Sequence, residues 1–264
     1  MTNYVPLNKS VHREAGIRQV DFGFASQQAA VPLVMEDIPR VLALMVIGFV
    51  ARAGNEGMEL VALQSLEPGK NLYVHTNGRW ITGYKPAWYR SHPFRLILDE
   101  KSGRHVLCVD EDADAFTKEA GPDDKRLFDT SGDPTELTHN LLEFLTQAEK
   151  SRKTTQDGVD ELYQAGVIKP WQISVRNPHG ESGRDIGGVY QIDEKALRQL
   201  DEPVLARMAR SGALSIAYAQ LFSQHRLPIL AKLYDLRNEA NRRQKGVDLK
   251  ELFLDDDEGL DFNF

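Results

Sequence analysis

The sequence predicts an α+β protein, with an antiparallel β-meander in its first half and a helical array in its second. Three observations carry this. Two turn signals, Thr76-Asn77-Gly78 and Lys101-Ser102-Gly103, separate β-type runs. A helix start signal stands at Asp133-Pro134-Thr135-Glu136. From Asp193 onward, start and stop signals alternate at helical spacing.

Along the chain, the spacing predicts a helix over Glu36–Leu44 and a strand over Val46–Arg52. Leu60–Leu66 is a short apolar strand closed by Pro68-Gly69. Asn71–His75 and Arg79–Thr82 flank the Asn-Gly turn as one hairpin, and Phe94–Asp99 and His105–Asp110 form a second. Together these give a meander of four or five strands. At Asp133 the side chain can cap, with Pro134 at the first helical position; Leu137, Leu141, Phe144, Leu145 and Ala148 then recur at helical spacing. Asp157–Gly166 reads as a separate short helix with a glycine stop. Asn177–Gly188 reads as a loop and Val189–Ile192 as a strand. Asp193 caps a helix through Leu200, and Asp201-Glu202-Pro203 starts another that stops at Gly212. Ala213–Gln224 and Pro228–Arg243 complete the array. The organisation expected is a β-rich half (1–130), a helical half packed on it (131–245) and an acidic-aromatic tail (246–264).

The charge is concentrated. Of a net −7, residues 251–264 hold −6, which leaves −1 for the preceding 250 residues. A near-neutral body argues against generic nucleic-acid binding, which needs a basic face. The longest apolar run, Val41–Ala51, has eleven residues between Arg40 and Arg52. That is too short to cross a hydrocarbon core of about 30 Å as a helix. With no apolar stretch near the N-terminus, the expected compartment is the cytoplasm. The lone cysteine, Cys108, lies in an apolar run and reads as a buried thiol.

No cofactor is expected, since the sequence holds no phosphate-binding glycine motif and no nucleophile elbow. Nor is a metal, since none of the seven histidines pairs with another ligand at metal spacing. The densest cluster is Tyr84–Leu98, with Tyr84, Trp88, Tyr89 and Phe94 among Lys85, Arg90, His92 and Arg95. Arginine forks beside rigid rings suit recognition of a peptide or protein partner. The same residues also suit a structural crossover whose rings plug the core. Glu36 follows an apolar run and is expected to be buried as the ion-pair partner of Arg90. The tail adds Phe253, Phe262 and Phe264, spaced among acids, as candidate partner contacts; folding back on the basic stretch before it is the alternative.

The order of motifs resembles the bacterial SapC-like family. The residues that carry it are Val31-Pro32-Leu33-Val34 with Glu36, Asn71-Leu72-Tyr73-Val74 with Gly78-x-Trp80, and Pro86-x-x-Tyr89-Arg90-x-x-Pro93-Phe94. Leu127-Phe128-Asp129 with Gly132, and Gly212-Ala213-Leu214 with Tyr218-Ala219-Gln220-Leu221, complete it. Ser91-His92 stand where a second arginine and an aromatic are usual. The resemblance implies an accessory protein of a peptide-modifying or TonB-dependent uptake system. It implies as partner an iron/2-oxoglutarate (cupin or JmjC-like) oxygenase or a flavin-dependent halogenase. The expectation is thus a non-enzymatic interaction protein. Its alternatives are an enzyme subunit with a site near Glu36, Arg90 and His92, or a surface-layer structural protein.

Overall fold

The computed structural model describes residues 3–19, 21–52, 54, 56–175 and 184–243. The acidic-aromatic tail, with Phe253, Phe262 and Phe264, lies outside the described residues, as does most of the loop expected at Asn177–Gly188. The first strands are β1 (Tyr4–Pro6), β2 (Gly16–Ile17) and β3 (Ala30–Pro32). Helix α1 (Ile38–Val41), strands β4 (Val46–Ala51) and β5 (Met58–Leu63) and helix α2 (Ala87–Arg90) follow. Next come β6 (Phe94–Asp99), β7 (Arg104–Asp110), β8 (Phe116–Thr117), β9 (Lys125–Arg126) and the long helix α3 (Glu136–Gln164). Strands β10 (Ile168–Pro170), β11 (Ile173–Val175), β12 (Arg184–Ile186) and β13 (Val189–Ile192) lead to α4 (Glu194–Arg198), α5 (Glu202–Ser211), α6 (Ala213–Ser223) and α7 (Leu227–Arg243). The fold is α+β.

The expected meander divides between two sheets. One is five-stranded, in the order β10-β13-β4-β5-β3, and the other three-stranded, in the order β1-β7-β6. The division falls in residues 82–93, where Pro86, Pro93 and the single helical turn of α2 replace a hairpin turn. This segment carries the chain from one apolar cluster to the other. The larger cluster includes Phe49, Leu60, Tyr73, Trp80 and Tyr89; the smaller includes Phe94, Val109, Phe116 and Leu127. Both sheets are completed by strands remote in sequence: Val5 pairs with Val109, and Tyr190 with Phe49. Strands β10 and β13 come from the half expected to be helical, so that half contributes to the larger sheet.

Three local expectations shift. The Asn77-Gly78 turn forms, with Gly78 at φ +79°, but its ladder is a single bridge, Val74 to Trp80. The Tyr73 amide is taken by the Asn71 side chain (2.9 Å) instead of a cross-strand carbonyl. The expected helix at Glu36–Leu44 is a 3-10 turn, Met35–Asp37, followed by the one-turn α1. Asp133 does not cap α3, because Pro134 is held in a bridge with Phe128 and the helix begins at Glu136.

The largest difference is α3. It is one helix of 29 residues, about 43 Å long, and the expected break before Asp157 does not occur. Its polar middle stays helical while packed: Ser151 and Thr155 are buried, and the Thr155 hydroxyl donates to the Ser151 carbonyl (2.7 Å). That hydroxyl also accepts the Met35 amide (2.9 Å). Leu145 belongs to the smaller cluster while Val159 and Leu162 belong to the larger, so one helix joins the two cores. Gly158 lets α6 approach closely; a Cβ there would lie 3.0 Å from Ile216 Cδ1.

The later signals hold. The Asp193 carboxylate accepts the Lys195 and Ala196 amides, and Gly166 and Gly212 take positive φ at the helix ends. Among the described residues, no helix is long and apolar enough to cross a membrane. Cys108 is buried.

Candidate functional site

The site is organised by a carboxylate one residue from the expected one. Glu36 is exposed, whereas Asp37 is fully buried. The 3-10 turn rotates Asp37 inward, where its Oδ2 accepts the Val34 amide (3.2 Å). Its Oδ1 accepts the Tyr84 hydroxyl (2.5 Å) and the Ala87 amide (3.0 Å), with the Arg90 guanidinium 3.8 Å away. The expected Glu36–Arg90 pair is therefore an Asp37–Arg90 pair. Burial and the hydrogen bond to Asp37 push the Tyr84 hydroxyl up to about 12, so it stays a donor at neutral pH. Arg90 also lies over the rings of Tyr84 (5.6 Å) and Phe144 (4.8 Å), which ties α2 to α3.

With α2 fixed, the aromatic segment divides by environment. Tyr89 is buried; its hydroxyl donates to Gln64 Oε1 (2.5 Å) and its ring meets the Trp80 ring edge-on at 5.5 Å. Phe94 is 1% exposed, in the smaller core. Each of these two expected partner contacts is buried within an apolar cluster. Trp88 is 39% exposed, with Arg95 Cζ 4.0 Å above its ring. Arg95 donates to the Ser91 hydroxyl and the Phe94 carbonyl, which holds the guanidinium against the indole.

His92 stacks on Phe24 with ring centroids 3.8 Å apart. Burial, then the nearby Arg95, push its imidazole down to about 4, against smaller opposing effects of Asp110 and Asp114. His92 is therefore neutral in the folded protein at neutral pH. The unfolded chain takes up this proton near 6.5 and the folded chain only near 4. The stability His92 contributes is present above 6.5 and is lost as pH falls toward 4. Thermal melts from pH 7 to 4 should show a shallower loss for His92→Gln than for the wild type; parallel slopes would contradict this placement.

Trp88 and His92 open onto a cleft of about 1080 Å³. One wall is Arg95, Leu96, Ile97 and Leu98 of β6; another is Pro32 of β3 with Leu33 and Val34. Further lining comes from α3, at Leu145, Ala148, Glu149, Arg152, Thr155 and Gln156. The remaining side holds Asp21, Phe24, Asp110, Asp112 and Asp114. Arg152 forms a bidentate pair with Glu149 (2.6 and 2.8 Å), which holds that carboxyl below its usual range. Both β6 and β3 are outer strands of their sheets. Ile97 and Leu98 are 40% and 53% exposed.

Of Glu36, Arg90 and His92, only His92 lines this cleft, so the structure does not assemble the three around it. Among the described residues, no group of three or more His, Cys, Asp or Glu side chains could hold a metal ion. Sequence reasoning missed Phe24, the Asp110–Asp114 turn and the α3 residues, and reached Leu96–Leu98 only as the end of the aromatic segment. One signal was present: three successive apolar residues in a short strand put apolar side chains on both of its faces, so that each face needs cover.

No curated protein and no solved structure matches the chain. A family model described as SapC matches residues 7–230, a span that holds every residue lining the cleft except Tyr4, and the chain belongs to the SapC family.

Proposed function

We propose that this chain is a non-enzymatic accessory protein that holds an extended segment of a protein partner in the cleft. The observation that supports this reading is the cleft itself, where exposed Trp88 stands beside exposed Ile97 and Leu98 of the outer strand β6. Rigid aromatic and aliphatic side chains lining a groove are the usual anchors of a polypeptide interface. The Asp37 network and the Arg95–Trp88 stack hold Trp88 in place before a partner arrives, which lowers the ordering cost of binding.

The partner classes that go with this reading are an iron/2-oxoglutarate oxygenase and a flavin-dependent halogenase, in a peptide-modifying or TonB-dependent uptake system. A pull-down from the cell of origin, read by mass spectrometry, tests it with three baits: wild type, Trp88→Ala/Ile97→Lys, and a chain lacking Glu251–Phe264. The expected result is specific recovery of one such protein by wild type and at least about tenfold less with the cleft variant. Equal recovery by both would refute the cleft as the binding surface. Loss with the truncated chain alone would assign capture to the tail.

A further inference from the structure

We infer that the cleft takes its occupant as an added β-strand along β6, and that this strand carries lysine or arginine. The inference rests on the preceding reading that the cleft receives a polypeptide segment, and it specifies the mode and the charge.

The mode follows from the hydrogen-bond register. Among the described residues, β6 pairs with β7 alone. The Asp110 amide donates to the Pro93 carbonyl at 2.9 Å, in line with the pairing of Phe94 with Val109. Antiparallel pairs alternate, so the Arg95 and Ile97 backbone groups point toward β7. The amides and carbonyls of Leu96 and Leu98 then point the other way, and both residues line the cleft. Exposed strand edges are commonly blunted by proline or lysine. Leu96-Ile97-Leu98 has neither, whereas β3, the other edge on the cleft, ends in Pro32. An incoming strand would satisfy the Leu96 and Leu98 backbone groups and set alternate side chains against Trp88 and Ile97.

The charge follows from the lining. Among the described residues, six carboxylates line the cleft, against the guanidiniums of Arg95 and Arg152. Arg152 is neutralised by Glu149, whereas Arg95, held by the Ser91 hydroxyl, the Phe94 carbonyl and the Trp88 ring, keeps its charge, which leaves the carboxylates in excess. Asp21, Asp112 and Asp114 are exposed along the same cleft. Their field favours a cationic strand and disfavours an anionic one. By sign, the acidic segment Glu251–Phe264 of this chain is a poor occupant.

The test uses the full-length protein and three labelled nonapeptides: alternating lysine and valine, alternating glutamate and valine, and the lysine–valine peptide N-methylated at every amide. Fluorescence anisotropy reads affinity, and hydrogen exchange reads the β6 amides. The lysine–valine peptide should bind and slow exchange at Leu96 and Leu98. The other two peptides should bind at least about tenfold more weakly. Asp112→Asn/Asp114→Asn should weaken the lysine–valine peptide several-fold and make its affinity less sensitive to salt. Equal binding of the N-methylated peptide would overturn strand addition and leave the cleft reading intact. Equal or tighter binding of the glutamate peptide would overturn the charge assignment. If no peptide binds while a partner still cross-links to position 88, this inference fails alone. If neither occurs, the cleft reading fails with it.

Discussion

Replacing Asp37 with alanine is expected to destabilise the protein by about 3–5 kcal/mol, with a melting point lower by about 10 °C. Asp37 is fully buried and its two oxygens accept the Val34 amide, the Ala87 amide and the Tyr84 hydroxyl. Alanine would leave these donors without an acceptor in a site water does not reach, and Arg90 without its carboxylate. Asparagine can keep the Oδ1 acceptor and should cost less, about 1–2 kcal/mol, mainly because its amide meets the Val34 N–H. Arg90→Ala should resemble asparagine more than alanine, since the guanidinium is 39% exposed and 3.8 Å from the carboxylate. Thermal or urea unfolding of the three variants gives the order. An Asp37→Ala protein as stable as wild type would remove Asp37 as the organiser of the site.

The second large effect is expected far from the cleft, at Gln220. Strands β4 and β13 pair at Val50–Val189 and Phe49–Tyr190. Continued in register, Ile47 would lie opposite Ile192. The ladder instead opens, and the Gln220 side chain from α6 bridges the gap. Its Oε1 accepts the Ile192 amide (3.0 Å) and its Nε2 donates to the Ile47 carbonyl (3.4 Å). Ser223 completes the repair by accepting the Ile47 amide (2.9 Å). Gln220 and Ser223 are both fully buried. Gln220→Leu conserves most of the volume but strands the Ile192 amide, so a loss of about 3 kcal/mol is expected in urea unfolding. A loss below about 1 kcal/mol would mean that the two strands close the gap themselves.

The helical half was legible because its signals are local. Asp193 caps through its own side chain, and Gly166 and Gly212 end helices by adopting a positive φ that other residues resist. In the sheets only local pairing was legible: the expected hairpin of Phe94–Asp99 with His105–Asp110 forms as β6 with β7. The pairing of Tyr190 with Phe49 joins residues remote in sequence, and no short-range pattern encodes such a partner. The sequence places two helices where α3 is one, because the apolar spacing runs only to Ala148 and Asp157–Gly166 reads as a separate helix; Ser151 and Thr155 between them are buried against the rest of the fold, and that packing holds the polar middle helical.

The candidate site was legible as a segment and not as a surface. Tyr84–Leu98 is the stretch that shapes it, yet ring chemistry alone does not say that Trp88 faces outward while Tyr89 and Phe94 face in. That division is set by the turn of α2, which is set by Asp37. Glu36 and Asp37 are neighbours on one turn, and only the backbone rotation distinguishes the exposed carboxylate from the buried one. The acids at Asp110, Asp112 and Asp114 and the α3 residues reach the cleft through tertiary folding.

A protein partner held in the Trp88–β6 cleft should be caught there by site-specific photocross-linking in the cell of origin. A benzophenone amino acid at position 88 is compared with the same group at Phe222, which is 60% exposed and does not line the cleft. One dominant protein adduct is expected from position 88, reduced by Ile97→Lys, and none of that adduct from position 222. The same adduct from position 222 but not from position 88 would contradict binding in the cleft.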